Sequence, residues 1–121
     1  MADEQTLICP GSALAEGGKG VRFEIHANGR VRSCFVVRYA AAVHAFVNEC
    51  PHAFSELDWQ PGEFFDSSGL YLICATHGAV FLPESGHCVG GPCKDRRLIS
   101  LPVQERDGNV YLTEGFTVHG K

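Results

Sequence analysis

Two short brackets in the chain each pair a cysteine with a histidine, Cys50-Pro51-His52 and Cys74-Ala75-Thr76-His77. Each offers a thiolate and an imidazole from a span that a tight loop presents. Two such loops supply the ligands of a mixed [2Fe-2S] cluster, in which two cysteines hold one iron and two histidines hold the other. The same four side chains also make a legitimate tetrahedral Cys2His2 zinc set. Against zinc stands the grouping, because zinc modules usually bracket cysteine with cysteine and histidine with histidine. A Cys-His nucleophile pair is a third chemistry, but no oxyanion hole or orienting acid stands at a recognisable spacing. One-electron transfer is therefore the leading expectation.

The elements that must position these brackets read as β. Val21, Phe23 and Ile25 alternate with Arg22 and Glu24, the Asn28-Gly29 pair signals a hairpin turn, and residues 31–38 return as a second strand. Val43, Ala45 and Val47 form a third alternation that runs into Cys50. The second bracket repeats this logic, with a turn at residues 66–69, a strand over 70–73, the Cys74 loop, and a return strand through Val80 and Phe81 to a turn at 83–86. Residues 98–101 and 103–105 precede a turn at Asp107-Gly108-Asn109, and residues 110–113 close the sheet. Only residues 12–16 suggest a helical turn.

Length and composition limit the alternatives. A chain of 121 residues is one domain's worth, and its 45% hydrophobic and 20% charged composition is that of an ordinary soluble protein. No apolar run approaches the ~18 residues that suggest a membrane span. The net charge of -4 and the lack of any Lys/Arg stripe beyond Lys94-Asp95-Arg96-Arg97 argue against nucleic acid. The acidic, polar start at residues 1–5 is unlike a secretory or transit signal, so a cytoplasmic location is expected. With no export signal, the 6 cysteines fit a metal and a reducing compartment better than a disulfide framework.

At the brackets the chain resembles the Rieske ferredoxin family. After His77 come Gly78, Phe81, Ser85-Gly86 and Gly91-Pro92, similar to the family's run of H-G, F, G and G-P behind the second bracket. The resemblance covers residues 7–113 and is most specific over 50–93. It implies an all-β, Rieske-like antiparallel framework carrying a small inserted cluster-binding subdomain, as a single domain over residues 1–121 with the cluster-binding part at about 48–93. It also implies one [2Fe-2S] cluster per chain, with Cys50 and Cys74 on the buried iron and His52 and His77 on the outer one. Gly91-Pro92 looks like the family's third, covering loop, and Pro51, Ala53, Phe54, Gly78, Ala79 and Pro92 frame the tip.

Departures from the family pattern carry chemical content. Members from cytochrome complexes place a further cysteine in each ligand loop and a serine after the second His-Gly. This chain has Phe54 and Ala79 in those regions. Fewer hydrogen bonds to sulfide predict a potential toward the low end of the Rieske range of roughly -150 to +300 mV. The stretch from Ala53 to Ile73 is longer than usual, with the excess expected at residues 60–69, in a turn away from the ligands. Two ferric ions, two sulfides and two thiolates carry no net charge when the histidines are neutral, and the acidified second ring N–H couples electron to proton transfer in the alkaline range.

The remaining candidates have plainer roles. Cys88 and Cys93 read as reduced thiols on a loop near the cluster, Cys9 and Cys34 as core, and Trp59, Phe64 and Phe65 as packing. His26, His44, His87 and His119 lack a partner at ligand spacing. The expected function is that of an electron carrier rather than an enzyme, passing electrons from a reductase to an oxygenase or other redox partner. A tightly bound Rieske subunit of an oxidoreductase and a structural zinc module are the alternatives.

Overall fold

The computed structural model describes residues 6–27, 29–50, 56–58, 60, 62–74, 78–91, 96–113 and 117–119. In chain order the strands are β1 (Thr6–Pro10), β2 (Val21–Ala27), β3 (Arg30–Tyr39), β4 (Ala42–Val47), β5 (Leu72–Ile73), β6 (Val80–Phe81), β7 (Cys88–Gly90), β8 (Ser100–Leu101), β9 (Val103–Arg106), β10 (Asn109–Leu112) and β11 (Thr117–His119). They form three antiparallel sheets, ordered β1-β10-β9, β11-β2-β3-β4-β8 and β5-β6-β7. The all-β expectation holds. The only helical turn among the described residues is a 3-10 segment at Gly11–Ala13, slightly earlier than the sequence suggests.

The β2–β3 hairpin follows from its alternation and its turn. Ala27 pairs with Arg30, leaving a two-residue connection in which Gly29 takes φ +75°. Such loops need left-handed backbone, which glycine adopts without a steric penalty. The β3–β4 hairpin closes a two-residue connection with no glycine. Tyr39 pairs with Ala42, and Ala40 and Ala41 sit at φ 54° and 64°. The Glu16 carboxylate accepts both of their N–H groups, at 2.6 and 2.9 Å, and offsets the strain.

Strand β3 lies at the centre of the molecule, and Cys34, Phe35, Val36 and Val37 are all fully buried. Alternate residues serve different layers. Cys34 and Val36 join Ile8, Phe23, Val110 and Leu112 in one core, while Phe35 and Val37 join Phe46, Phe64, Leu72 and Phe81 in the other. The second core binds the framework to the segment that carries both brackets. That segment leaves at the end of β4 and returns at β8, the neighbour of β4, and Val47 N–H donates to the Ile99 carbonyl at 2.8 Å where the ends meet.

Local expectations need correction in several places. Strand β5 is shorter than residues 70–73, because Leu70 and Tyr71 face solvent and only Leu72 and Ile73 pair with β6. Residues 88–90 form β7 and are not loop, since they complete the sheet against β6. Residues 98–101 contribute only β8, which pairs with β4 and lies in a different sheet from β9. The stretch over 60–69 is not simply a turn. Its Phe64 is fully buried and stacks on Phe35, with ring centroids 4.0 Å apart, while the turn proper closes at residues 66–69 through Gly69 N–H to the Asp66 carbonyl.

Candidate metal centre

Both bracket cysteines emerge from strand ends into the same core. Cys50 follows β4 and Cys74 follows β5, each is fully buried, and both belong to the cluster of side chains built around Phe35, Phe64 and Phe81. Neither is joined in a disulfide. Buried thiols at the bases of two loops are a fit donor set for the inner iron of a [2Fe-2S] group, since thiolates are the ligands such iron takes.

The second loop is closed by its own backbone. Cys74 N–H donates to the Ala79 carbonyl and Gly78 N–H donates to the Cys74 carbonyl, both at 2.8 Å. Gly78 stands at φ +74°, where a side chain is strained, and is exposed, whereas Ala79 turns inward and is buried. Against this loop lies Gly91, at φ +89°. A Cβ there would stand 2.8 Å from the Ala79 Cα and 3.2 Å from the Gly78 carbonyl oxygen, so Gly91 touches the second bracket loop backbone to backbone.

The first loop is fixed at its two ends. Asn48, 1% exposed, accepts Leu57 N–H through Oδ1 at 2.8 Å and donates from Nδ2 to Asp58 Oδ1 at 3.0 Å. Asp58 Oδ2 accepts Gly62 N–H at 3.0 Å and lies 3.5 Å from Arg22 Nε. Arg22 also reaches Glu56 at 2.6 Å, and Arg32 reaches Glu49, the neighbour of Cys50, at 2.8 Å. None of these residues stood out in the sequence. Asp58 is an acidic residue between Leu57 and Trp59, and those apolar neighbours and the nearness of Asn48 to Cys50 were the available hints.

Of the sequence-predicted positions, Cys50, Cys74, Gly78, Ala79 and Gly91 are brought together as described. His52, His77, Pro51, Ala53, Phe54 and Pro92 lie outside the described residues, as do Cys93 and Trp59. Cys88 is buried on β7 and its thiol donates to the Gly90 carbonyl at 3.1 Å, a packing role on a strand instead of the expected loop. Cys34 is core, and burial pushes its thiol up to about 12, which keeps it protonated and unreactive.

The fold has close counterparts among solved structures. One chain of a fluorene-bound oxygenase–ferredoxin complex of carbazole 1,9a-dioxygenase superposes with a TM-score of 0.73 at 16% identity, over 90% of this chain and 28% of that one. The present chain thus spans little more than a quarter of that longer relative. The Sphingomonas yanoikuyae B1 ferredoxin gives a TM-score of 0.69 at 20% identity, over 91% of this chain and 98% of the other. The carbazole 1,9a-dioxygenase ferredoxin of Nocardioides aromaticivorans IC177 gives 0.67 at 22%, over 90% and 96%. Comparison with curated proteins returns no match. The model of the Rieske [2Fe-2S] domain matches residues 4–116. Because that match runs across framework and bracket-bearing segment alike, the chain belongs to the Rieske [2Fe-2S] domain family.

Proposed function

We propose that the protein is a one-electron carrier whose single [2Fe-2S] cluster is held by Cys50 and Cys74 on the inner iron and by His52 and His77 on the outer iron. The observation that carries this reading is the burial of Cys50 and Cys74 in one core, at the bases of the two bracket loops. The cluster supplies reversible one-electron chemistry near neutral charge. The chain excludes water from the thiolate side, where Ala79 is buried, and Gly78 and Gly91 with Pro51, Phe54 and Pro92 are assigned to the covering and docking tip through which the histidine side meets a partner.

The chain is a single domain over residues 1–121, with its cluster-binding part at 48–93. The electron donor is a reductase. Ferredoxins of matching length belong by name to carbazole 1,9a-dioxygenase, which makes a terminal oxygenase the acceptor we favour. No helix among the described residues is long and apolar enough to cross a membrane, and a cytoplasmic location fits this role. A second reading, a Rieske unit that stays bound within a larger oxidoreductase, is favoured by the match to 28% of a longer chain. A carrier purifies alone and is reduced by a reductase; a bound unit requires its partner.

The test is an EPR spectrum of the purified protein before and after dithionite, with iron, sulfide and zinc quantified on the same sample. A silent oxidised form and a rhombic reduced signal of Rieske type, lost in His52→Ala and His77→Ala, support the reading. Stoichiometric zinc and no signal after reconstitution with iron and sulfide overturn it.

A further inference from the structure

The two ends of the segment that carries the first bracket are tied together by side chains that are not its candidate ligands. Asn48 stands before Cys50 and Asp58 stands beyond the loop, yet one carboxamide bridges them by accepting from Leu57 N–H at 2.8 Å and donating to Asp58 at 3.0 Å. The Asp58 side chain is fully buried, and its second oxygen is taken by Gly62 N–H at 3.0 Å with Arg22 at 3.5 Å. Asn48 N–H itself donates to the Ser33 carbonyl at 2.8 Å, so the bridge is anchored on β3. A buried carboxylate is retained only where its lone pairs are matched. Here one oxygen is matched across the base of the bracket segment by Asn48, and the other by Gly62 N–H and Arg22.

We infer that Asn48 and Asp58 form a latch that holds together the two ends of the segment carrying the first bracket, and so sets the position from which Cys50 meets the cluster. They are positioning residues that act through Cys50, an assignment that rests on the ligand reading given above. Residues that orient metal ligands commonly affect metal retention by roughly ten- to hundred-fold.

A double-mutant cycle tests the latch on the full-length, cluster-loaded protein. In Asn48→Asp two carboxylates face each other, and in Asp58→Asn the carboxamide donor loses its anionic acceptor. The combined Asn48→Asp/Asp58→Asn variant exchanges the two groups, keeps an acceptor for Leu57 N–H, and supplies at once a bond across the base and an acceptor for Gly62 N–H, which neither single variant does. Each single variant should release its cluster to a chelator about ten-fold faster, with a shifted reduced-state EPR signal and faster hydrogen exchange over residues 57–62. The exchanged pair should return toward the original protein in all three. Single variants that retain cluster and signal unchanged overturn the latch, as does an exchanged pair no better than either single one. If the unmodified protein binds no cluster, the ligand reading fails instead.

Discussion

Gly91 and Ala79 meet so closely that no side chain fits between them, with the hypothetical Cβ of Gly91 only 2.8 Å from the Ala79 Cα. Backbone cannot yield as a flexible side chain does. The contact fixes Gly91 against the second bracket loop, at a φ of +89° that L-residues avoid. Gly91→Ala should therefore cost about 1–3 kcal/mol through overpacking, read as a lowered unfolding midpoint. It should also accelerate cluster loss, measured by bleaching of the visible absorbance.

Cys74 and Cys88 are both buried in the same core, yet they should respond oppositely to serine. Cys74→Ser should abolish the reduced-state EPR signal or lower the cluster content sharply. Cys88→Ser should keep both, because its thiol donates to the Gly90 carbonyl and a hydroxyl preserves that bond. Iron and sulfide analysis of the two purified variants checks the contrast.

The carboxylate of Glu16 holds a hairpin turn that two alanines would not choose. Removing it in Glu16→Ala should cost about 1 kcal/mol, since water replaces the lost acceptor of the two exposed N–H groups. Replacing Ala40-Ala41 with Asn-Gly should raise stability by roughly 1 kcal/mol through relief of left-handed strain. Thermal unfolding of both variants distinguishes the two directions.

Arg38 grips Glu105 with two bonds of 2.7 Å and ties β3 to β9. Its guanidinium hydrogen bond holds the Glu105 carboxyl below the ordinary carboxylate range. A pKa lower in the folded than in the unfolded state gives stability that is fully present above the unfolded value and lost as pH falls through the folded one. Denaturation midpoints measured from neutral pH downward should fall through that acidic window, and Glu105→Gln should flatten this part of the decline.

Features written into a few neighbouring residues were legible in the sequence. The alternation of Val21, Phe23 and Ile25 and the Asn-Gly turn placed β2 and β3, and the two brackets placed Cys50 and Cys74 at strand ends. What escaped was decided by distant partners. The Ala40-Ala41 turn carries no turn signal because its stabilising group is Glu16, far back in the chain. Phe64 looked like filling for a long loop because its stacking partner, Phe35, lies on another strand. Strand β7 is short and glycine-rich, and only its pairing with β6 makes it a strand. Asp58 is buried because Asn48, Gly62 and Arg22 surround it, and acidity alone signals the opposite.

The bracket-bearing segment enters and leaves the framework through adjacent strands, with Phe46 opposite Ser100 and Val47 N–H bonded to Ile99. In engineering terms it is a cassette whose two splice points lie side by side. A short turn joining residue 47 to residue 99 would keep the pairing of β4 with β8 and the Val47–Ile99 bond between them. Conversely, any antiparallel strand pair with the same spacing, given a Phe35-like ring to receive Phe64, offers a socket for transplanting the redox centre.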